Sequence, residues 1–507
     1  MDLQELYQEI KAGKNMRQNL SAIRAALKEK EGGREKLEWL RDRFQEEPET
    51  LLPLLKSEDA KTRKNAALVL GSIGSDVCRD ALLLAYQAET QRFVKSSYLI
   101  ALQGSDCAKC ADFFRERQTE LIRTERTPET EKHIREELEA VNVLLSRLQP
   151  QGENRRFAGL DVPSDVILTA WKEHREVTAR QIAKGSVSLL GSGIRVREAD
   201  LRELLTIRTW RELLFCLNGE ELNPEKIAAE QAEALLSSGL LELLERHLPE
   251  GTQKKTPWRF RIECRSRMMQ EQKNLFTKRL ADGLMQRSKG LLINDVSAYE
   301  VEIRLLEKKS GAFLPLVKFP SLPDHRFSYR KNSTAASMQP SLAALLAKLA
   351  EPYLKEEARV LDPFCGVGTL LLERNYLVHA DTLYGVDLFA PAIAGARENA
   401  AIAGVPVHFV NRDMRDFRHE YRFDEIFTDM PSAGGKRTSH ETDLLHRYLF
   451  ERAEGLLKPG AMLFVYTHDR GFAKKRLREC ANLRLEREWR ISEKEDAWFL
   501  AVRMGAG

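Results

Sequence analysis

Residues 360–373 read VLDPFCGVGTLLLE. The apolar run that stops at Asp362 has the character of a buried strand, and the Leu-rich stretch from Thr369 to Glu373 opens a helix. Between them, Gly366 and Gly368 carry no side chains, so a ligand can lie against the backbone at the start of that helix. A lone Gly-x-Gly is shared by many nucleotide binders. Dinucleotide binders place a third glycine three residues later. Leu371 stands there in this chain, which disfavours a pyrophosphate cofactor.

Working outward, short apolar runs flank this turn: RVLD (359–362), LYGVD (383–387), VHFVN (407–411), DEIFTD (424–429) and MLFVYT (462–467). Helical segments separate them. That alternation predicts an α/β, doubly wound sheet with its ligand at the carboxyl ends of the strands. Two acids fall at such ends. Asp387 closes the second strand, where a carboxylate can accept ribose hydroxyls; Asp413, in NRDMRDF, follows the third, where it can accept from an adenine amine. The fourth strand runs into FTDMPSAGGKR (427–437). An aromatic or heteroaromatic amine has its lone pair delocalised into the ring. A carboxylate and a backbone carbonyl that accept its two protons direct that lone pair at an electrophile, mainly by orientation and electrostatics. Asp429, with the carbonyl of Met430 or Pro431, fits that task.

Taken together, these motifs resemble class I S-adenosylmethionine-dependent methyltransferases, and the DPFCGVGT form resembles the branch acting on exocyclic base amines. The lead-in DHRFSYRKNSTAASMQPSLAALLAKLA (324–350), with Ser337, Gln339 and Pro340 in frame, is similar to the stretch that precedes the catalytic domain of THUMP-associated (UPF0020-type) RNA guanine-N2 methyltransferases. The likeness covers about 324–505. It implies a Rossmann-like fold and S-adenosyl-L-methionine held by Asp362, Pro363, Phe364, Cys365, Gly366, Gly368, Thr369, Asp387, Leu388, Asp413 and Met414. It also implies a catalytic loop of Asp429, Met430, Pro431 and Ser432, and no metal. The family's aromatic position is Ser432 here, so any ring for a flipped base must come from elsewhere, with Tyr329, Phe427 and Tyr448 as candidates. Lys436 and Arg437 match the GKR that ends the same loop in related enzymes.

Upstream, residues 1–150 have apolar positions at helical spacing. TRKNAALVLGSIG (62–74) and VKSSYLIALQG (94–104) look like copies about 32 residues apart. This resembles short HEAT repeats, an α-solenoid; an ordinary helical bundle is the alternative. A polar linker, QPQGENRR (149–156), follows. The middle, 157–323, reads as mixed α+β, loosely like ferredoxin-like and THUMP domains. Strands are expected at 166–171, 186–191, 258–266 and 298–306, and helices at 175–185 and around 270–288. These boundaries predict three domains: 1–150, 157–323 and 324–507.

The whole chain has 507 residues, with 80 Lys and Arg against 76 Asp and Glu. That balance hides a basic strip. Between Lys254 and Lys289 stand eleven bases and three acids. Lys254, Lys255, Arg259, Arg261, Arg265 and Arg267, together with Lys436 and Arg437, are expected to grip an RNA backbone, although a solvated face is the commoner fate of such a run. Cys107 and Cys110 supply half of a zinc site at most, and the odd total of 7 Cys fits free thiols in a reducing cytosol. No run of about 18 apolar residues is present, so neither a membrane span nor membrane binding is expected. The expectation is a cytoplasmic RNA methyltransferase acting on tRNA or rRNA, with a possible protein partner on the helical arm. A catalytically silent RNA-binding protein and a protein (glutamine) methyltransferase remain the alternatives.

Overall fold

The computed structural model describes residues 2–29, 32–124, 127–148, 156–191, 193–219, 221–246, 257–432 and 437–506. They form two compact units, each built from two stretches of chain: Met1–Arg156 with Leu217–Ser321, and Phe157–Cys216 with Leu322–Gly507.

The second unit contains seven strands that the glycine turn helps to organise. They are β1 (Ala358–Asp362), β2 (Ala380–Asp387), β3 (His408–Asn411), β4 (Phe423–Asp429), β5 (Leu457–Thr467), β6 (Leu483–Ser492) and β7 (Ala497–Met504). Their order is β3-β2-β1-β4-β5-β7-β6. The first five run parallel, and β6 and β7 form an antiparallel edge. Five helices belong to this sheet: α1 (Pro340–Ala350), α2 (Thr369–Leu377), α3 (Ala390–Ala403), α4 (Ser439–Leu456) and α5 (Arg470–Glu479). Both faces are covered, so the strands read as continuous apolar runs rather than alternating ones. Phe427, Phe464 and Tyr466 join Leu342, Leu345, Leu371 and Ala396 in one core. Ile426, Leu463 and Val465 join Leu449, Phe450, Ala453 and Leu477 in the other. Each fully buried Leu or Phe contributes roughly 1.5–3 kcal/mol. The parallel order reverses between β1 and β4, and a crevice opens at their carboxyl ends. Asp362 ends β1 and Asp429 ends β4.

The stretch Phe157–Cys216 adds antiparallel strands to this unit: Ser164–Thr169 lies between Gly193–Ala199 and Glu212–Cys216, with Ser186–Leu189 beside Gly193–Ala199. The helix expected over 175–185 covers only Arg175–Ala179. It stops because the Glu203 carboxylate takes the N–H groups of Ala183 and Lys184 (2.6 and 3.1 Å), and because Gly185 turns with φ +92°. The strand Gly193–Ala199 had no counterpart in the sequence reading; its alternation is short and follows a glycine pair. Arg326 holds this stretch to the lead-in segment. Its guanidinium lies 3.1 Å from the Trp210 ring centroid and donates to the carbonyls of Ile207 (2.8 Å) and Trp210 (3.1 Å).

In the first unit, the described residues before Arg156 form helices and the turns between them. The two sequence copies form the helices Ala60–Ile73 and Arg92–Leu102. They pack so closely that a Cβ on Gly71 would lie 2.5 Å from the Ala101 Cα. Gly71→Leu is therefore expected to destabilise this unit by about 1–3 kcal/mol or more, read by urea unfolding. Seven residues of the expected linker, 149–155, lie outside the described residues. The remaining stretch of this unit contributes strands Phe313–Lys318, Val301–Glu307, Trp258–Arg265 and Leu292–Asn294, adjacent in that order, with helix Gln270–Arg287 against them. All seven cysteines are free thiols. Among the described residues, no helix is long and apolar enough to cross a membrane.

Candidate active site

The turn after β1 is built by its glycines. Gly366 has φ +52° and Gly368 φ +82°, conformations that L side chains rarely adopt. A Cβ on Gly366 would meet nothing within 4 Å, so the backbone there borders open space. Gly385 serves the same turn from β2. A Cβ on it would come within 2.7 Å of the Phe409 ring and 2.9 Å of the Cys365 sulfur. Cys365 and Pro363 are buried, and burial pushes the Cys365 thiol pKa well up, which leaves it no nucleophilic role. Thr369, the first residue of α2, is buried with a hydroxyl that has no hydrogen-bond partner.

The acids divide into three kinds. Asp387 accepts from the Gly366 N–H (2.9 Å) with one oxygen and from the Phe389 N–H (2.8 Å) with the other, so it braces the glycine turn and keeps lone pairs on both oxygens. Beside it, Leu388 and Phe389 are 69% and 56% exposed, an apolar rim unusual for such side chains. Asp413 is committed to Arg415, which donates to it from both the backbone N–H and the guanidinium. That pairing holds its carboxyl below the usual range. The role of amine acceptor expected for Asp413 therefore competes with an arginine already in place. Met414 is buried in the second core rather than lining the crevice.

Asp362 and Asp429 form the third kind. Asp362 is buried; it accepts from the Thr428 hydroxyl (2.7 Å) and the Phe364 N–H (3.0 Å). Burial, with Asp387 nearby, raises its pKa to about 7. Asp429 has no hydrogen-bond partner among the described residues. Burial first and the Asp362 charge second raise its pKa to about 8. Two carboxyl groups at a switch point with raised pKa values mark a reactive centre. Thr428 was missed in the sequence because a Thr inside a strand carries no signal of its own.

The loop after β4 begins with Met430, whose N–H donates to the Tyr466 carbonyl (2.9 Å). Pro431 is half-buried and Ser432 exposed. Ala433–Lys436 lie outside the described residues, and Arg437 is exposed. The three rings expected as substitutes for the missing aromatic are otherwise employed. Phe427 is stacked in the core on Phe499. The Tyr329 hydroxyl donates to Glu373 (2.6 Å). Tyr448 sits beneath the Arg415 guanidinium, 5.6 Å away. The ring that β5 sets in register with Asp429 is Tyr466, which the sequence reading did not single out.

The basic strip lies in the first unit, and its arginines face acids. Arg261 pairs with Glu302 (2.6 Å) and stacks on Tyr299 (3.9 Å). Arg259 lies 3.8 Å from Glu300, Arg265 2.9 Å from Glu263, and Arg267 3.0 Å from Glu307. Glu263 belongs to the same strand as Arg265; the other three acids come from the neighbouring strand Val301–Glu307 and its approach, about forty residues downstream. Arg259, Arg261, Arg265 and Arg267 are thus each matched by an acid. Lys254 and Lys255 lie outside the described residues. A further basic run, Lys474, Lys475 and Arg476 of α5, is also paired: Lys474 with Glu488, and Lys475 and Arg476 with Asp443.

A tRNA (guanine(10)-N2)-dimethyltransferase of Methanothermobacter thermautotrophicus is 32% identical over 129 residues, 25% of this chain and 37% of that protein. A tRNA (guanine(6)-N2)-methyltransferase of Thermus thermophilus is 30% identical over 220 residues, 41% of this chain and 62% of that protein. The chain spans less than two thirds of the length of these curated relatives. The solved structure of TrmN from Thermus thermophilus matches with a TM-score of 0.51 at 20% identity, covering 67% of this chain and 99% of that one, a likeness of fold. Residues 328–493 match the model of UPF0020, the RMKL-like methyltransferase domain.

Proposed function

We propose that the chain is an S-adenosyl-L-methionine-dependent RNA methyltransferase that modifies the exocyclic amine of a guanine, N2, in tRNA, with rRNA as the other RNA to be assayed. The observation that carries this reading is Asp429, a carboxyl with no hydrogen-bond partner among the described residues at the end of β4, followed by Met430 and Pro431.

The residues fit the cofactor. Gly366 borders open space, the Thr369 hydroxyl is buried without a partner, and Asp387 retains lone pairs for ribose hydroxyls. Leu388 and Phe389 offer exposed apolar surface to an adenine. The cofactor supplies an electrophilic methyl group on a sulfonium. Asp429, ionised, accepts an amine proton of the base. The carbonyl of Met430 or Pro431 accepts the other and fixes the direction of the lone pair. Thr428 and Phe364 hold Asp362, whose charge acts on Asp429, and Tyr466 is the residue in register with Asp429 on β5. In this reading the N-terminal helices are a HEAT-like arm that offers a docking surface to RNA or to a protein. Residues 157–323 are a THUMP-like, ferredoxin-like RNA-binding region ahead of the catalytic domain at 324–507, and the protein works in the cytoplasm. The paired arginines shift the expected phosphate contacts toward Arg437, Lys436 and the bases Lys273 and Arg279, which pair with no acid among the described residues.

Asp387→Ala is expected to weaken the cofactor by about tenfold to a hundredfold, because a charged hydrogen bond is worth roughly 1.5–3 kcal/mol. Calorimetry with S-adenosylmethionine checks it. A second reading, a silent RNA-binding protein, is favoured by Ser432 standing where the family has a ring. Mass spectrometry of RNA nucleosides from a deletion strain decides between them. Loss of an N2-methylguanosine supports the enzyme. An unchanged nucleoside profile, with cofactor binding intact, supports the silent protein, and methyl transfer to a protein glutamine would refute both.

A further inference from the structure

Arg330 sits in the lead-in segment. Its side chain is half-buried, and its Nε is closed off from solvent with no hydrogen-bond partner. No acid pairs with it among the described residues. Burial lowers its pKa, and the Tyr329 phenol is the one ionisable neighbour that acts on it. Buried cations are ordinarily matched by an anion, because desolvating an unmatched charge is costly. Other arginines of this unit obey that rule: Arg208 lies on Glu373, Arg326 on Asp324 and Arg374 on Glu425. Arg452, which also lacks a carboxylate, donates to the Phe417 carbonyl.

The position of Arg330 suggests what is missing. Asn399 of α3 accepts from the N–H groups of Lys331 (3.1 Å) and Asn332 (3.0 Å), and it donates to the carbonyls of Asn332 (3.1 Å) and Val367 (3.2 Å). One side-chain amide thus ties the backbone next to Arg330 to the glycine turn. Two residues beyond Val367 stands Thr369, the buried hydroxyl without a partner. Two unmatched donors, one of them cationic, are held by the same clamp.

We infer that Arg330 is the counter-charge for the carboxylate of the cofactor's amino-acid tail, with the Thr369 hydroxyl as a second donor; this assignment rests on the cofactor reading above. A guanidinium suits a planar carboxylate because its fork donates two parallel bonds. A phosphate of RNA would instead be met by an exposed, mobile base, whereas the Arg330 side chain is half-buried and the backbone that follows it is tied to the glycine turn through Asn399.

The test compares two probes that differ only in the tail. S-Adenosylhomocysteine carries the amino acid; 5′-methylthioadenosine lacks it. Calorimetry is run on the full chain as wild type, Arg330→Gln and Arg330→Lys. Arg330→Gln is expected to weaken S-adenosylhomocysteine by about tenfold to a hundredfold while methylthioadenosine binding is unchanged, and Arg330→Lys is expected to recover part of the loss. Unchanged methylthioadenosine affinity also reports that the variant is folded. Equal loss of both probes would assign Arg330 a purely structural role and overturn the inference. Unchanged affinity for both probes, with weaker RNA binding, would overturn it in favour of a phosphate contact. A wild type that binds neither probe would bring down the functional reading itself, and this inference with it.

Discussion

Asp429→Ala is expected to lower methyl transfer by about a hundredfold to a thousandfold, the range seen when one group that stabilises developing charge is removed. Cofactor affinity should change little, because Asp429 ends β4 on the acceptor side while Asp387 braces the glycine turn from β2. A tritiated-methyl assay on undermodified RNA, beside calorimetry with S-adenosylmethionine, measures both. Equal loss of binding in Asp429→Ala and Asp387→Ala would refute this division of roles. The same carboxyl sets a pH dependence. Its acceptor form is the ionised one, and its pKa is raised to about 8, so transfer should rise with pH up to that value. Stability should run the other way. Asp429 at about 8 and Asp362 at about 7 hold protons in the folded state that the unfolded chain has released. Stability from this source is complete below the unfolded carboxyl range near 3.8 and is lost as pH rises through 7 to 8. Asp429→Asn should therefore flatten the decline in melting temperature between about pH 4 and 8 while remaining inactive.

Arg374→Met is expected to destabilise the catalytic sheet by about 3–5 kcal/mol, because it strands a buried carboxylate. Arg374 and Glu425 are 0% and 1% exposed. Two guanidinium nitrogens meet the two carboxylate oxygens at 2.8 and 2.7 Å, and the same guanidinium donates to the carbonyls of Lys355 and Val378. The pair joins α2, which begins in the glycine turn, to β4, which ends at Asp429. Hydrogen exchange of β4 amides reports this sheet without interference from the other unit. The double variant Arg374→Met/Glu425→Leu should recover most of the loss, since no unmatched charge would remain. A single variant as stable as the wild type would mean that solvent reaches Glu425.

The sequence by itself determined whatever depends on near neighbours. A strand that runs into two glycines and then a Leu-rich helix is a local pattern, and β1, the turn and α2 followed it closely. So did the order of Asp362, Asp387 and Asp429 at strand ends, because apolar runs on both faces mark buried parallel strands. Asp413 was legible as an acid after β3. That it is occupied by Arg415, two residues on, depends on the rotamer of that loop. The strip at 254–289 misled for a different reason. Its positive count was correct along the chain, but Glu300, Glu302 and Glu307 arrive beside Arg259, Arg261 and Arg267 only when two strands pair across forty residues. The substitute ring for Ser432 was sought in Tyr329, Phe427 and Tyr448. The sheet instead set Tyr466 against Asp429, through a register between β4 and β5 that no local pattern encodes. The tertiary structure also decided which charges remain unmatched. Arg330 and Arg326 look alike in the string, yet one closes on Asp324 and the other keeps a buried nitrogen without a partner. Local sequence sets the backbone, but burial and pairing are sums over residues far apart in the chain, and those sums fix the protonation of Asp362 and Asp429.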